Sequence, residues 1–149
     1  MKSQNSSFCF LIPSRKRTKL LEQTISKIIE KTYDLTKIEI ILGVDSDDLD
    51  TKKFAFSKLG DSKVDIKKVI VERKSGYEDQ PSRLLEMIKV SKNDFFIHFA
   101  DDMEIVTKNW DKIVRDKIRN LPNDMIYLIY PAHNQLNKEW PLCQIISRE

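Results

Sequence analysis

Phe95-Phe96-Ile97-His98-Phe99-Ala100-Asp101-Asp102 is a short apolar run that ends in two carboxylates. A continuous run of this kind reads as a strand buried on both faces, as parallel sheets require. Two carboxylates at the mouth of such a strand are costly unless something cationic meets them. Mn2+ or Mg2+ suits them, because hard cations take oxygen ligands and are often held by one or two carboxylates together with substrate phosphates. The pair has plainer uses as well, since Asp after a strand often forms a solvated turn or caps the next helix. A second cluster tips the balance: Asp45-Ser46-Asp47-Asp48 follows another apolar run, Ile38-Glu39-Ile40-Ile41-Leu42-Gly43-Val44. Two strands ending in acid point to one shared site.

Outward from these runs the chain alternates strands and helices. Phe8-Cys9-Phe10-Leu11-Ile12 reads as a buried strand that Pro13 ends, followed by the loop Ser14-Arg15-Lys16-Arg17. From Thr18 to about Lys31, Leu21, Ile25, Ile28 and Ile29 recur at helical spacing. Asp48 is placed to cap a short helix carrying Phe54, Ala55 and Leu59, with Gly60 as its stop. Val64 to Val71 begins with period-two alternation and suits an edge strand. Pro81 lies where a first turn tolerates it, so a helix is expected over about Ser82 to Ser91. The strand Asp94 to Ala100 follows. Trp110, Ile113, Val114 and Ile118 then mark a helix face that Pro122 ends, and Met125 to Tyr130 is the last full strand. Apolar Leu142 to Ile146 looks like the start of another element. Gly76 to Pro81 is the best candidate for a mobile loop.

This alternation predicts an α/β fold: a mainly parallel sheet with helices on both faces. In such sheets ligands bind beyond the carboxyl ends of the strands, where Ser14 to Arg17, Asp45 and Asp101-Asp102 all fall.

A length of 149 residues suits one domain with a real core. Lysine and arginine number 26 against 23 acids, and the lysines are dispersed, so no nucleic-acid partner is indicated. The two cysteines, Cys9 and Cys143, sit in apolar stretches and read as packing residues, which fits a reducing compartment. The apolar run before Pro13 is too short for a leader or a transmembrane segment. A soluble, cytoplasmic protein is expected. Only three glycines occur, Gly43, Gly60 and Gly76, so neither a dinucleotide fingerprint nor a P-loop can be written. His98 and His133 do not sit at metal-ligand spacing, and His98 reads as a core or wall residue.

The order of these features resembles the nucleotide-binding half of a family 2 type glycosyltransferase of the GT-A fold, a Rossmann-like domain. The carriers are Phe10-Leu11-Ile12-Pro13-Ser14-Arg15-Lys16-Arg17, similar to the family's opening strand and turn; Leu42-Gly43-Val44-Asp45, like the strand whose terminal Asp contacts the base; and Phe99-Ala100-Asp101-Asp102, like the DxD-type metal motif. Each is weak alone, and the order makes the set moderately specific over residues 8 to about 131.

The resemblance implies a nucleoside-diphosphate sugar as donor, with a UDP-sugar favoured, and an unknown glycan, lipid or protein acceptor. It implies Mn2+ or Mg2+ held by Asp102, with Asp101 sharing the metal or facing the ribose. Pro13, Ser14, Arg15, Arg17, Asp45, Arg83 and Asp101 would bind nucleotide; solvated charge is the alternative for the arginines. Departures from the family pattern leave some of this open. Ala-Asp-Asp replaces Asp-x-Asp, no Asn follows Arg83, and Ser46 stands where a second Asp is commoner. The acidic base that the family places after the last full strand has no counterpart here, which implies a donor-binding half without its acceptor part. A nucleotide-binding remnant or scaffold without transfer is therefore the second reading. A phospho-acceptor receiver domain is a third, disfavoured because no Lys follows Tyr130-Pro131.

Overall fold

The computed structural model describes residues 6–57, 62–72, 79–122, 125–132 and 143–148. Among these, strands β1 (Phe8–Ser14), β2 (Ile38–Asp45), β3 (Asp65–Val71), β4 (Phe95–His98), β5 (Leu128–Ile129) and β6 (Gln144–Ser147) form one sheet in the order β3-β2-β1-β4-β6-β5. β1 to β4 are mutually parallel, whereas β6 runs antiparallel to both β4 and β5. The described helices are α1 (Thr18–Lys31), α2 (Leu49–Ser57), α3 (Gln80–Lys89) and α4 (Trp110–Ile118).

The chain steps outward from β1 to β3 and then returns to place β4 on the other side of β1. Strand order thus reverses between β1 and β4, and the loops that leave their carboxyl ends diverge around a crevice.

Side chains alternate across the buried strands, so one sequence supplies two cores. Phe8, Phe10, Ile12, Ile40 and Leu42 face Leu21, Ile25 and Ile28 of α1 and Trp110 and Ile118 of α4. Cys9, Leu11, Ile41 and Phe96 face Met87 of α3 on the opposite side. Helices therefore cover both faces, as the pattern predicts. Trp110 stands edge-on to Phe8 and Phe10, each 5.3 Å away between ring centroids.

Several boundaries differ from expectation, each for a local reason. β1 runs through Pro13 to Ser14. Leu11 turns its carbonyl toward the β4 side, where it accepts from Phe99 N–H, and Pro13, two residues on, faces the same way. The β1–β4 ladder has already ended at Leu11 and His98, so no donor is needed at Pro13. β4 itself stops at His98 instead of Ala100. α3 begins at Gln80 with Pro81 in its first turn and ends at Lys89. α4 ends at Ile118, ahead of Pro122, and Ile113 is exposed, so the buried stripe is Trp110, half-buried Val114 and Ile118. The expected strand Met125 to Tyr130 shrinks to two paired residues, because β5 meets β6 only at Leu128–Ile146 and Ile129–Ile145. The apolar segment after Leu142 forms β6, which makes the sheet mixed. Leu59, Gly60, the Gly76 loop and His133 lie outside the described residues.

Candidate functional site

β1, β2 and β4 deliver their carboxyl ends side by side, and each ends in or beside a buried polar residue. Ser14 closes β1, Asp45 closes β2, and Asp101 follows β4 after two residues; all three are buried. Between β1 and α1 the loop residues Arg15, Lys16 and Arg17 lie over these ends.

This loop ties the two acidic clusters together. Arg15 Nη1 donates to Asp45 Oδ2 at 2.9 Å, and its two Nη atoms reach the Asp47 carboxylate at 2.5 and 2.8 Å. The carboxylate of Asp47 first, and then that of Asp45, raises the Arg15 pKa further above its ordinary value. Two residues on, Arg17 bridges the other pair, with Nη2 2.5 Å from Asp101 Oδ1 and Nη1 3.0 Å from Asp102 Oδ2. Lys16, between them, has a left-handed backbone with φ of 55°. That conformation costs a non-glycine residue roughly 1–2 kcal/mol. Asp48 Oδ2 and Thr51 Oγ1 hold it by accepting from Lys16 N–H at 2.7 and 3.1 Å.

Asp45 also meets Arg83 of α3, whose Nη2 pairs with Asp45 Oδ1. Arg83 is buried, and its Nε has no hydrogen-bond partner among the described residues. An unmatched buried donor is costly, so this atom marks a place where a ligand acceptor would be welcome. Gly43 lets α3 come this close: a Cβ there would stand 2.7 Å from Met87 Sδ and 3.5 Å from Arg83 Cδ.

Asp101 and Asp102 differ sharply in setting. Asp101 is fully buried; besides its ion pair with Arg17 it accepts a hydrogen bond from Ser14 Oγ at 2.6 Å. Burial raises its pKa, against the pull of Ser14 and Arg17. The Asp102 side chain is 48% exposed. Among the described residues no group of three or more His, Cys, Asp or Glu could hold a metal. Two adjacent carboxylates nonetheless fit Mn2+ or Mg2+ when phosphate oxygens and water complete the shell. The guanidinium of Arg17 shows that a cation is accommodated against both.

The residues singled out from sequence thus gather at one end of the sheet: Ser14, Arg15, Arg17, Asp45, Arg83, Asp101 and Asp102, with Pro13 one step inside β1. His98, part-buried in β4, has its pKa lowered by burial, in keeping with a wall residue. Sequence reasoning missed Thr24 and Thr51. Thr24 Oγ1 lies 2.9 Å from the Asp101 carbonyl and 3.0 Å from that of Met103, holding the turn after β4 against α1. Its signal was present, since Thr24 is a polar residue inside the stripe Leu21, Ile25, Ile28. Thr51 follows the motif Asp48-x-x-Thr51, a capping spacing whose side-chain bond to the loop could not be read locally.

No protein-family model matches the chain, and no curated protein matches it. Solved structures do match. TarS from S. aureus, residues 1–349, was solved alone, with UDP and with UDP-GlcNAc. It superposes with a TM-score of 0.62 at 20% identity, covering 75% of this chain and 32% of its own. A mannosyltransferase from Pyrobaculum calidifontis, solved with GDP-Man and Mn2+, gives 0.51 at 15% identity over 79% of this chain and 32% of its own. The chain has a GT-A-like, Rossmann-type α/β fold, and it spans about a third of the length of these neighbours.

Proposed function

We propose that this chain binds a nucleoside-diphosphate sugar and serves a divalent-metal-dependent glycosyltransferase, with a UDP-sugar as favoured donor. One observation carries the reading. A single loop, Ser14 to Arg17, spans both acidic clusters at the point where strand order reverses, as a site for a base at one end and a diphosphate at the other requires. That the structural neighbours were solved with UDP, UDP-GlcNAc and GDP-Man supports the donor class.

In this reading Asp45 accepts a hydrogen bond from the base and Arg83 donates its free Nε to it, while Arg15 holds Asp45 aimed. Asp102, backed by buried Asp101, faces the diphosphate. Mn2+ or Mg2+ held there would act as a Lewis acid on the departing diphosphate. Ser14 fixes the Asp101 carboxylate so that the charge is preorganised. The acceptor is a glycan, lipid or protein. Among the described residues no helix is long and apolar enough to cross a membrane.

Calorimetry of UDP with Mn2+ and with a chelator tests the proposal. Affinity should rise with metal, and Asp102→Asn should remove that rise while the protein keeps its thermal midpoint, since the half-exposed Asp102 pair with Arg17 contributes little to stability. Equal affinity in both conditions would overturn the metal role. Turnover of a UDP-sugar separates a transferase from a nucleotide-binding domain that does not transfer.

A further inference from the structure

Arg17 occupies the position that the proposed metal needs. It touches one oxygen of each carboxylate, Asp101 Oδ1 at 2.5 Å and Asp102 Oδ2 at 3.0 Å. Asp101 cannot turn away, because it is fully buried and its other oxygen accepts from Ser14 Oγ at 2.6 Å. Asp102 and Arg17 are the partners with room to move, their side chains 48% and 47% exposed. A divalent ion and a guanidinium repel when they share the same two carboxylates. Arg17 must therefore withdraw when metal enters, and it needs a new anionic partner. The fork of an Arg matches the paired oxygens of a phosphate group. Arg15 cannot fill that role as easily, because it is already held by Asp45 and Asp47.

We propose that Arg17 is an internal counter-cation that keeps free divalent metal off Asp101 and Asp102. The diphosphate of an incoming nucleotide draws it away, so that metal and nucleotide enter together. This rests on the nucleotide-diphosphate reading of the site, and it adds an order of events and a residue responsible for it. Arg17 is a positioning residue here: in the resting protein it neutralises the pair, and in the loaded one it neutralises phosphate.

The test uses Mn2+ alone, with free ion followed by electron paramagnetic resonance, on the whole chain and on Arg17→Gln. The variant should bind Mn2+ alone about tenfold more tightly, because the competing charge is gone. In the unaltered protein UDP should tighten Mn2+ by about 5- to 150-fold, the usual span of coupling between two ligands, and in the variant that coupling should shrink. Mn2+ affinity that is unchanged or weaker in Arg17→Gln overturns the proposal. Should Arg17→Gln fail to fold, Arg17→Met takes its place: it keeps the apolar stem and removes the charge, so Mn2+ should again bind more tightly, and no gain overturns the idea. If UDP neither binds nor tightens Mn2+ in the unaltered protein, the nucleotide reading itself falls. If it does both while the variants gain nothing for Mn2+, only the role of Arg17 falls.

Discussion

At the amino end of the sheet, the buried carboxylate of Asp111 is closed from every side. Its Oδ1 accepts from Tyr33 N–H at 2.7 Å, and its Oδ2 accepts from Asp34 N–H at 3.1 Å and from buried Arg115 at 2.6 Å. Arg115 also donates through Nε to the Ser6 carbonyl. Glu39, at the same end, is held by Lys67 and by Asn93 at 2.6 Å. At the carboxyl end the buried carboxylates Asp45 and Asp101 meet instead partly exposed arginines from one loop. Both ends bury charge. The first spends its partners on backbone and neighbouring helix, which fixes geometry, whereas the second holds cations that can exchange one anion for another. On the proposed function, the contrast separates carboxylates that hold the fold from those that would serve a ligand.

The largest expected effect lies at the closed end. Asp111→Ala leaves Arg115 buried without its counter-charge and strands two backbone donors, so it should cost about 3–5 kcal/mol of folding stability. Denaturant unfolding would measure it, and UDP affinity below the lowered midpoint should be unchanged. A loss below about 1 kcal/mol, the worth of an exposed pair, would show that this end is not the rigid one.

At the open end the expected effect is smaller on stability and larger on ligand. Asp45→Asn retains an acceptor for Arg83 but removes the anion, and nucleotide affinity should fall by about 1–3 kcal/mol. Asp45→Ala would be a poorer probe, since it also removes the acceptor oxygen that Asn keeps for buried Arg83. Calorimetry with UDP and Mn2+ reads the change. If Asp45→Asn binds UDP as well as the unaltered chain and only its stability moves, Asp45 belongs with Asp111 on the structural side of the comparison.

The same contrast explains what could be read from sequence. Phe8–Ser14, Ile38–Asp45 and Thr18–Lys31 were legible because burial on both strand faces, or on one helix face, leaves a local pattern, and the acids at the strand ends were legible because they interrupt it. The extent of the strand expected over Met125 to Tyr130 was not, because only Leu128–Ile129 pair and most of the apolar residues there are exposed: Met125, Ile126, Leu128 and Tyr130 have strand composition without a long partner to pair with. Ile113 misled for the same reason, being apolar by type and exposed by face. Within the site, individual residues were visible but their pairing was not. That Arg15 goes to Asp45 and Asp47 while Arg17 goes to Asp101 and Asp102 depends on where the chain beyond β1, β2 and β4, far apart in sequence, comes to rest. Nothing local encodes it.

The smallest expected effect sharpens the boundary between the two kinds of carboxylate. Asp48 is buried like Asp111, yet it stands beside the open end and serves the loop. It accepts from Thr51 N–H at 3.2 Å and Thr51 Oγ1 at 2.6 Å, capping α2, and from Lys16 N–H at 2.7 Å, holding the left-handed residue between Arg15 and Arg17. Burial alone would raise its pKa, but the Thr51 hydroxyl and the two backbone N–H groups outweigh it and hold the carboxyl below its ordinary value. Stability linked to this carboxylate is therefore present above its unfolded pKa, about 3.9, and is lost as pH falls through the lower folded value. Asp48→Ala should cost about 1 kcal/mol at neutral pH, the usual worth of a cap, and the gap to the unaltered chain should close as acid protonates Asp48 in both states. Thermal midpoints across that pH range measure it. If the loop depends on Asp48 as the geometry indicates, UDP affinity should fall along with the cap, whereas for Asp111→Ala it should not. An Asp48→Ala protein that loses the stability but binds UDP unchanged would move Asp48 to the structural group and leave Lys16 to be held by Thr51.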